Sequence, residues 1–141
     1  MFDIIPVTST RPTDCGATCL KMLLSYYGIE AELDALVKEC NTGIIGCRGK
    51  DLCVAGRTHG LDMKAWKGDA EDVLTCDRPA IIWWMYSHWV LYGGLDDAGK
   101  VVIYNPDKGR YRISAGIFAS FYTGVAITNG MPEDLPGVTS A

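Results

Sequence analysis

The stretch that most constrains this chain is Thr13-Asp14-Cys15-Gly16-Ala17-Thr18-Cys19-Leu20, close to its start. A polar run with a proline, residues 8–13, leads into it. Leu20, Leu23, Leu24 and Tyr27 follow at the three- and four-residue spacing of one helix face, and Gly28 ends the pattern. Cys15 is therefore expected in the first turn of a helix. Free backbone N–H groups and the positive end of the helix dipole gather there. Thiols so placed ionise readily and become nucleophiles. Gly16 and Ala17 leave room for a substrate carbonyl to approach the sulfur. Taken alone, the same residue reads first as a plain buried cysteine, because cysteine packs as a small hydrophobe.

The rest of the chain divides into a helical first part and a strand-rich second part. Residues 3–7 are apolar with Pro6 among them, which suits an edge segment. After the cysteine-headed helix, residues 30–40 read as a second helix with Leu33, Leu36 and Val37 on one face. Residues 41–49 hold three glycines and form a loop, and 50–59 a short third helix closed by Gly60. Residues 62–67 alternate as a half-buried strand does, and 69–75 make a turn or two of helix. Four segments rich in β-branched and aromatic residues follow, at 79–86, 88–95, 101–104 and 111–113, with a hairpin turn at 96–99. Ser114 caps a last helix reaching 122, and 124–128 adds a strand. The expected fold is α+β, with N-terminal helices packed on a C-terminal antiparallel sheet. One domain spans 1–128, and 129–141, with little apolar content, is expected to be a flexible tail.

Several functions are excluded at this stage. Net charge is −4 and the basic residues are scattered, so no nucleic-acid partner is expected. No apolar run approaches the eighteen or more residues of a membrane span, so no insertion into a bilayer is expected. The N-terminus lacks the basic and apolar regions of a secretory signal, which points to the cytoplasm. The six cysteines are irregularly spaced with no C-x-x-C pair, so free thiols are expected rather than disulfides or a metal site. No cofactor is expected either.

A cysteine nucleophile needs a base, and the base needs an orienting group. Only two histidines are present. His59 precedes Gly60 at a helix end and reads as a C-cap. His88 opens the strand His88-Trp89-Val90-Leu91-Tyr92, directly after the apolar strand containing Trp83 and Trp84. Asn105 ends the following strand, where its side chain can reach His88 and hold the ring's tautomer. A plain turn, Asn-Pro-Asp-Lys-Gly, accounts for the same residues. Cysteine on the first helix, then His and Asn on successive strands, is the order of a papain-like Cys-His-Asn centre.

At this point the chain resembles a known family. Asp14-Cys15-Gly16-Ala17-Thr18-Cys19-Leu20 with Tyr26-Tyr27-Gly28 is similar to the nucleophile motif of the C39 peptidases, which process bacteriocins by removing double-glycine leaders. His88-Trp89-Val90-Leu91-Tyr92-Gly93 and Val102-Ile103-Tyr104-Asn105-Pro106-Asp107-Lys108-Gly109 resemble the family's two later motifs. The resemblance covers residues 8–128. It implies a papain-like cysteine protease fold, with Cys15 as nucleophile, His88 as base and Asn105 as orienter. It further implies cleavage after small residues of Gly-Gly or Gly-Ala type through a Cys15 thioester. The partners implied are a peptide or protein substrate, such as a leader peptide, and a membrane transporter in trans.

Two positions depart from the family pattern. Asn105 stands where the family usually has Asp, and Ser9 stands where it has the Gln of the oxyanion hole. The hydroxyl of Ser9 or Thr10, or the side chain of Arg11, is the expected replacement donor beside the Cys15 N–H, and loss of the Gln implies a slow enzyme. Trp84 and Trp89 are expected to wall the substrate groove. Two other readings stay open: a non-catalytic domain that binds a leader or peptide, and a Cys15-dependent acyltransferase.

Overall fold

The computed structural model describes residues 1–133 and 135–141. A short 3-10 turn, Pro12–Asp14, runs into helix α1, Cys15–Tyr26. Helices α2 (Leu33–Glu39) and α3 (Gly49–Thr58) follow. Then come β1 (Met63–Lys67), α4 (Ala70–Thr75), β2 (Ala80–Trp84), β3 (His88–Leu95), β4 (Val101–Asn105) and β5 (Gly109–Ile113). Helix α5 (Ala115–Phe121), β6 (Tyr122–Asn129) and β7 (Thr139–Ser140) complete the chain. The strands form one antiparallel sheet in the order β5-β4-β3-β2-β6-β1-β7. Among the described residues no helix is long and apolar enough to cross a membrane.

Both faces of the sheet are covered. On one face Leu20, Leu23 and Leu24 of α1 and Leu36 of α2 pack over Ile81, Leu91 and Ile127. Each of these leucines is fully buried, which stabilises the fold by about 1.5–3 kcal/mol per side chain. Close packing of α3 on β1 requires Gly56, because a Cβ there would lie 2.3 Å from Cγ of Met63. On the other face α4 and α5 cover Ile82, Val90, Ile103 and Ala126 with Val73 and Phe118. These central strands carry apolar residues toward both faces, as strands buried on both sides do. Helix α4 starts with a capping box between Asp69 and Asp72, and Ser114 caps α5 through the Ile117 N–H at 3.2 Å.

The structure corrects the expected organisation at the termini and at one turn. Residues 3–7 form no strand; the Phe2 N–H donates to the Gly93 carbonyl at 2.9 Å before Pro6 removes a donor. The expected tail is partly sheet. Strand β6 runs to Asn129, and Thr139–Ser140 pairs with Trp66–Lys67 as the edge strand. Leu135 and Val138 pack against the second core. An edge position asks for backbone groups rather than apolar side chains, so composition did not reveal it. Strand β2 stops at Trp84, because Met85 and Tyr86 turn the chain with φ of 55° and 58°.

Candidate active site

The site is assembled where the N-terminus of α1 meets one end of the central strands. Cys15 is the first residue of α1 and is 6% exposed. Asp14, just before it, is buried, and its carboxylate takes Arg11 Nε at 2.7 Å and the Thr13 hydroxyl at 3.3 Å. Thr18 Oγ1 donates to the Asp14 carbonyl at 2.8 Å, anchoring the first turn. The approach to the cysteine is thus fixed by side chains as well as by helix geometry.

His88 is the first residue of β3, paired with Trp84 across the β2–β3 hairpin. Its ring neighbours the Cys15 thiol and hydrogen-bonds Asn105. The Nε2 to Asn105 Oδ1 distance is 2.9 Å. That oxygen also accepts the Asp107 N–H at 2.9 Å, which fixes which end of the Asn105 amide faces the ring. Nε2 must then be the protonated nitrogen. Nδ1 is left as the nitrogen that can take a proton from the thiol. Asp107 adds a negative charge, its Oδ2 lying 3.7 Å from Nε2.

These contacts set the ring's acid–base character. Burial disfavours the imidazolium, but the neighbouring Cys15 thiol and the hydrogen bond to Asn105, with the charges of Cys15 and Asp107, outweigh it. His88 is raised above its ordinary value as a result. The other thiols differ. Burial raises Cys19 strongly, raises Cys53, and pushes Cys76 up to about 11. Cys47 is raised chiefly by the neighbouring Cys40 thiol, with burial adding to it.

Beside the cysteine lies an apolar groove of about 390 Å³, lined by Ile45 and Cys47 of the α2–α3 loop, by Gly49 at the start of α3, and by Trp83, Trp89 and Val125 of the sheet. The Trp83 and Trp89 rings meet at 4.8 Å, and Trp89 Nε1 donates to the Cys47 carbonyl at 3.0 Å. The groove closes on α1 at Gly16, where a Cβ would lie 2.3 Å from Cys47 Sγ and 3.1 Å from Trp89 Cδ1.

Other expected site residues are placed differently. Ser9 is held in a local turn, its hydroxyl donating to the Arg11 carbonyl at 3.3 Å and accepting the Arg11 N–H at 3.2 Å. Its N–H donates to the Pro106 carbonyl, so it lies beside the Asn105 turn with its side chain already engaged. Trp84 does not wall this groove but lines a separate cavity beside His88. It faces the opposite side of the sheet from Trp89, is 3% exposed, and packs on Phe118 and Phe121. The odd–even alternation of β2 decides this, because Trp83, not Trp84, pairs with Trp89. His59 caps α3 and contacts Glu39 at 2.6 Å, joining α3 to α2.

Sequence reasoning missed Trp83, Cys47, Ile45 and Val125 as groove residues. For Trp83 the signal was available in the hairpin register. For the loop residues none was, since Asn41 to Gly49 has no periodicity.

The sequence profile described as the Peptidase C39 family matches residues 4–132. The chain belongs to the peptidase C39 family. By that membership it is a cysteine peptidase domain, and its fold is the papain-like one of the C39 structures. A solved double glycine motif protease from an AMS/PCAT transporter, in complex with its leader peptide, superposes on this C39 chain with a TM-score of 0.86. It is 25% identical, and the match covers 90% of this chain and 91% of that one. A probable microcin-H47 secretion/processing ATP-binding protein of Escherichia coli is 23% identical over 124 residues, which is 87% of this chain and 18% of that protein. Cysteine protease effector 1 of Escherichia coli O1:K1:H7 is 31% identical over 126 residues, covering 82% of this chain and 24% of that protein. The C39 chain therefore spans only about a fifth to a quarter of the length of these curated relatives.

Proposed function

We propose that this domain hydrolyses a peptide bond after a pair of small residues of Gly-Gly or Gly-Ala type, with Cys15 as nucleophile, His88 as acid and base, and Asn105 as orienter. The observation that carries the reading is His88 beside the Cys15 thiol and hydrogen-bonded to Asn105 Oδ1. His88 takes the thiol proton, and the thiolate attacks the substrate carbonyl. The resulting oxyanion meets the Cys15 N–H at the helix start, where the dipole favours negative charge. The imidazolium then gives its proton to the departing amine, and the C–N bond breaks, leaving a thioester. Water, deprotonated by His88, attacks the thioester and releases the acid and the free thiol.

Selection for small residues is the specificity the C39 resemblance implies, and the nucleophile's helix meets Cys47 and Trp89 in close contact at Gly16. The groove beyond it, lined by Trp83 and Trp89, suits the apolar side chains of a leader peptide, the ligand of the similar transporter protease. We place the reaction in the cytoplasm, on a leader whose cargo leaves through a transporter in trans. The test is cleavage of leader peptides ending in Gly-Gly, followed by mass spectrometry. Wild type is expected to cut after the second glycine. Cys15→Ala should abolish cutting, and His88→Ala should slow it about a thousandfold. Cleavage surviving in Cys15→Ala would overturn the assignment.

A second reading has one observation in its favour. The Ser9 hydroxyl is engaged with Arg11 and is not free to serve the oxyanion beside the Cys15 N–H. A domain that binds the leader without cutting it would show Cys15-independent binding and no product at any enzyme concentration. Transfer of the thioester to an amine, the third reading, would appear as amide product alongside acid.

A further inference from the structure

On the far side of His88 from the tryptophan groove lies a second cavity, of about 500 Å³. His88 forms part of its wall, with Pro12, Trp84, Met85, Asp107, Tyr111 and Phe121. Three features of this wall have no explanation in the core. Met85 is 54% exposed, the neighbouring Tyr86 77% and Phe121 37%, so apolar side chains cluster in solvent. Met85 and Tyr86 are held at positive φ, a conformation bulky residues avoid, where hairpins ordinarily use Asn-Gly. The turn is braced by the Met85 N–H donating to the Phe121 carbonyl at 2.9 Å, which ties the rim of the cavity to the end of α5. Backbone strain of this kind is kept where surrounding structure enforces it, and it clusters at ligand sites.

The chemistry of acylation assigns an occupant. The proton for the departing amine comes from His88, so the amine nitrogen must lie against that ring as the C–N bond breaks. The chain beyond the cut bond therefore passes over His88 and toward the Met85 turn. We propose that this cavity is the subsite for the segment released with the amine, and that it takes a large apolar side chain within the first residues after the cut. The proposal rests on the peptidase reading. Trp84, Met85, Tyr111 and Phe121 supply the apolar contact for that side chain, and Asp107 and Lys108, which also line the cavity, carry opposite charges.

Microscopic reversibility supplies the test. An added amine that attacks the Cys15 thioester must occupy the position of the departing amine. It forms an amide, passes its proton to His88, and expels the thiolate. Wild-type protein is acylated with the p-nitrophenyl ester of acetyl-Gly-Gly, and amides of phenylalanine, leucine, serine and glycine compete with water. The ratio of amide to acid is read by mass spectrometry, so hydrolysis is the internal reference. The phenylalanine and leucine amides are expected to win over glycinamide by about tenfold. Met85→Gly, which suits the positive φ, should bring that preference within about twofold while keeping the thermal midpoint. Val54→Ser, on the exposed side of α3, should keep it in full. A flat amide profile in wild type, or an unchanged preference in Met85→Gly, overturns the subsite alone. Failure of any ester to acylate Cys15 overturns the peptidase reading and the subsite with it.

Discussion

Replacing Gly16 by alanine tests how tightly the groove closes on the nucleophile's helix. The new methyl would sit 2.3 Å from Cys47 Sγ, 3.1 Å from Trp89 Cδ1 and 3.3 Å from Leu52 Cδ2. Ordinary contacts between such atoms are about 3.5–4.0 Å, so Cys47 must retreat by more than about 1 Å. Its carbonyl is held by Trp89 Nε1 at 3.0 Å, which limits that retreat. Overpacking of this kind costs about 1–3 kcal/mol. The gain in helix propensity from glycine to alanine is at most about 1 kcal/mol and smaller in the first turn. A net loss of about 1–2 kcal/mol follows, or roughly 3–6 °C in Tm for a chain of this size. Cys47→Ala removes the worst clash, so the double variant should recover most of the loss, giving a coupling of about 1 kcal/mol or more in a double-mutant cycle. Denaturant melts of the four proteins measure it, and cleavage of a Gly-Gly peptide should fall about tenfold in the Gly16→Ala variant. Unchanged stability and turnover in Gly16→Ala, or no coupling to Cys47, would refute the packing argument.

Four further outcomes are expected. Asn105→Asp places a carboxylate against Nε2 and favours the imidazolium, so activity on a reactive ester should extend to higher pH; Asp107→Asn removes a charge 3.7 Å away and should retract it. An identical pH–rate profile in both would remove these residues from the proton chemistry. Because His88 is raised above the ordinary 6.5, the folded state binds more protons than the unfolded one near neutrality; the stability this brings is complete below about pH 6.5 and fades as pH rises through the folded value, measurable as urea midpoints across pH. Ser9→Gln should raise turnover by about tenfold with KM little changed, because the added amide acts mainly on the transition state, and a change confined to KM would contradict it. Iodoacetamide at pH 6 should label Cys15 well ahead of Cys19, Cys47, Cys53 and Cys76, whose thiols are all raised; even labelling by peptide mapping would count against a single activated thiol.

Local patterns in the sequence carried much of the fold. The spacing of Leu20, Leu23 and Leu24 determines α1 and its buried face, and with the polar run before it places Cys15 at the helix start. Ser114 and Gly60 mark helix ends through their own backbone chemistry, and the β-branched runs mark the central strands. These signals are legible because each depends on residues within a turn or two of one another. Tertiary structure decided the rest. Trp83 rather than Trp84 joins Trp89 because the register of one hairpin sets which face each ring occupies. Cys47 reaches Gly16 only because α3 packs its aperiodic leading loop against α1. The Met85–Tyr86 turn runs against local preference and exists because β2, β3 and the end of α5 enforce it. The meeting of Cys15, His88 and Asn105 joins groups up to 90 positions apart (105 − 15), a juxtaposition set by sheet order and helix packing. Even the direction of the Asn105 amide depends on the Asp107 N–H, a backbone group whose aim no residue type encodes.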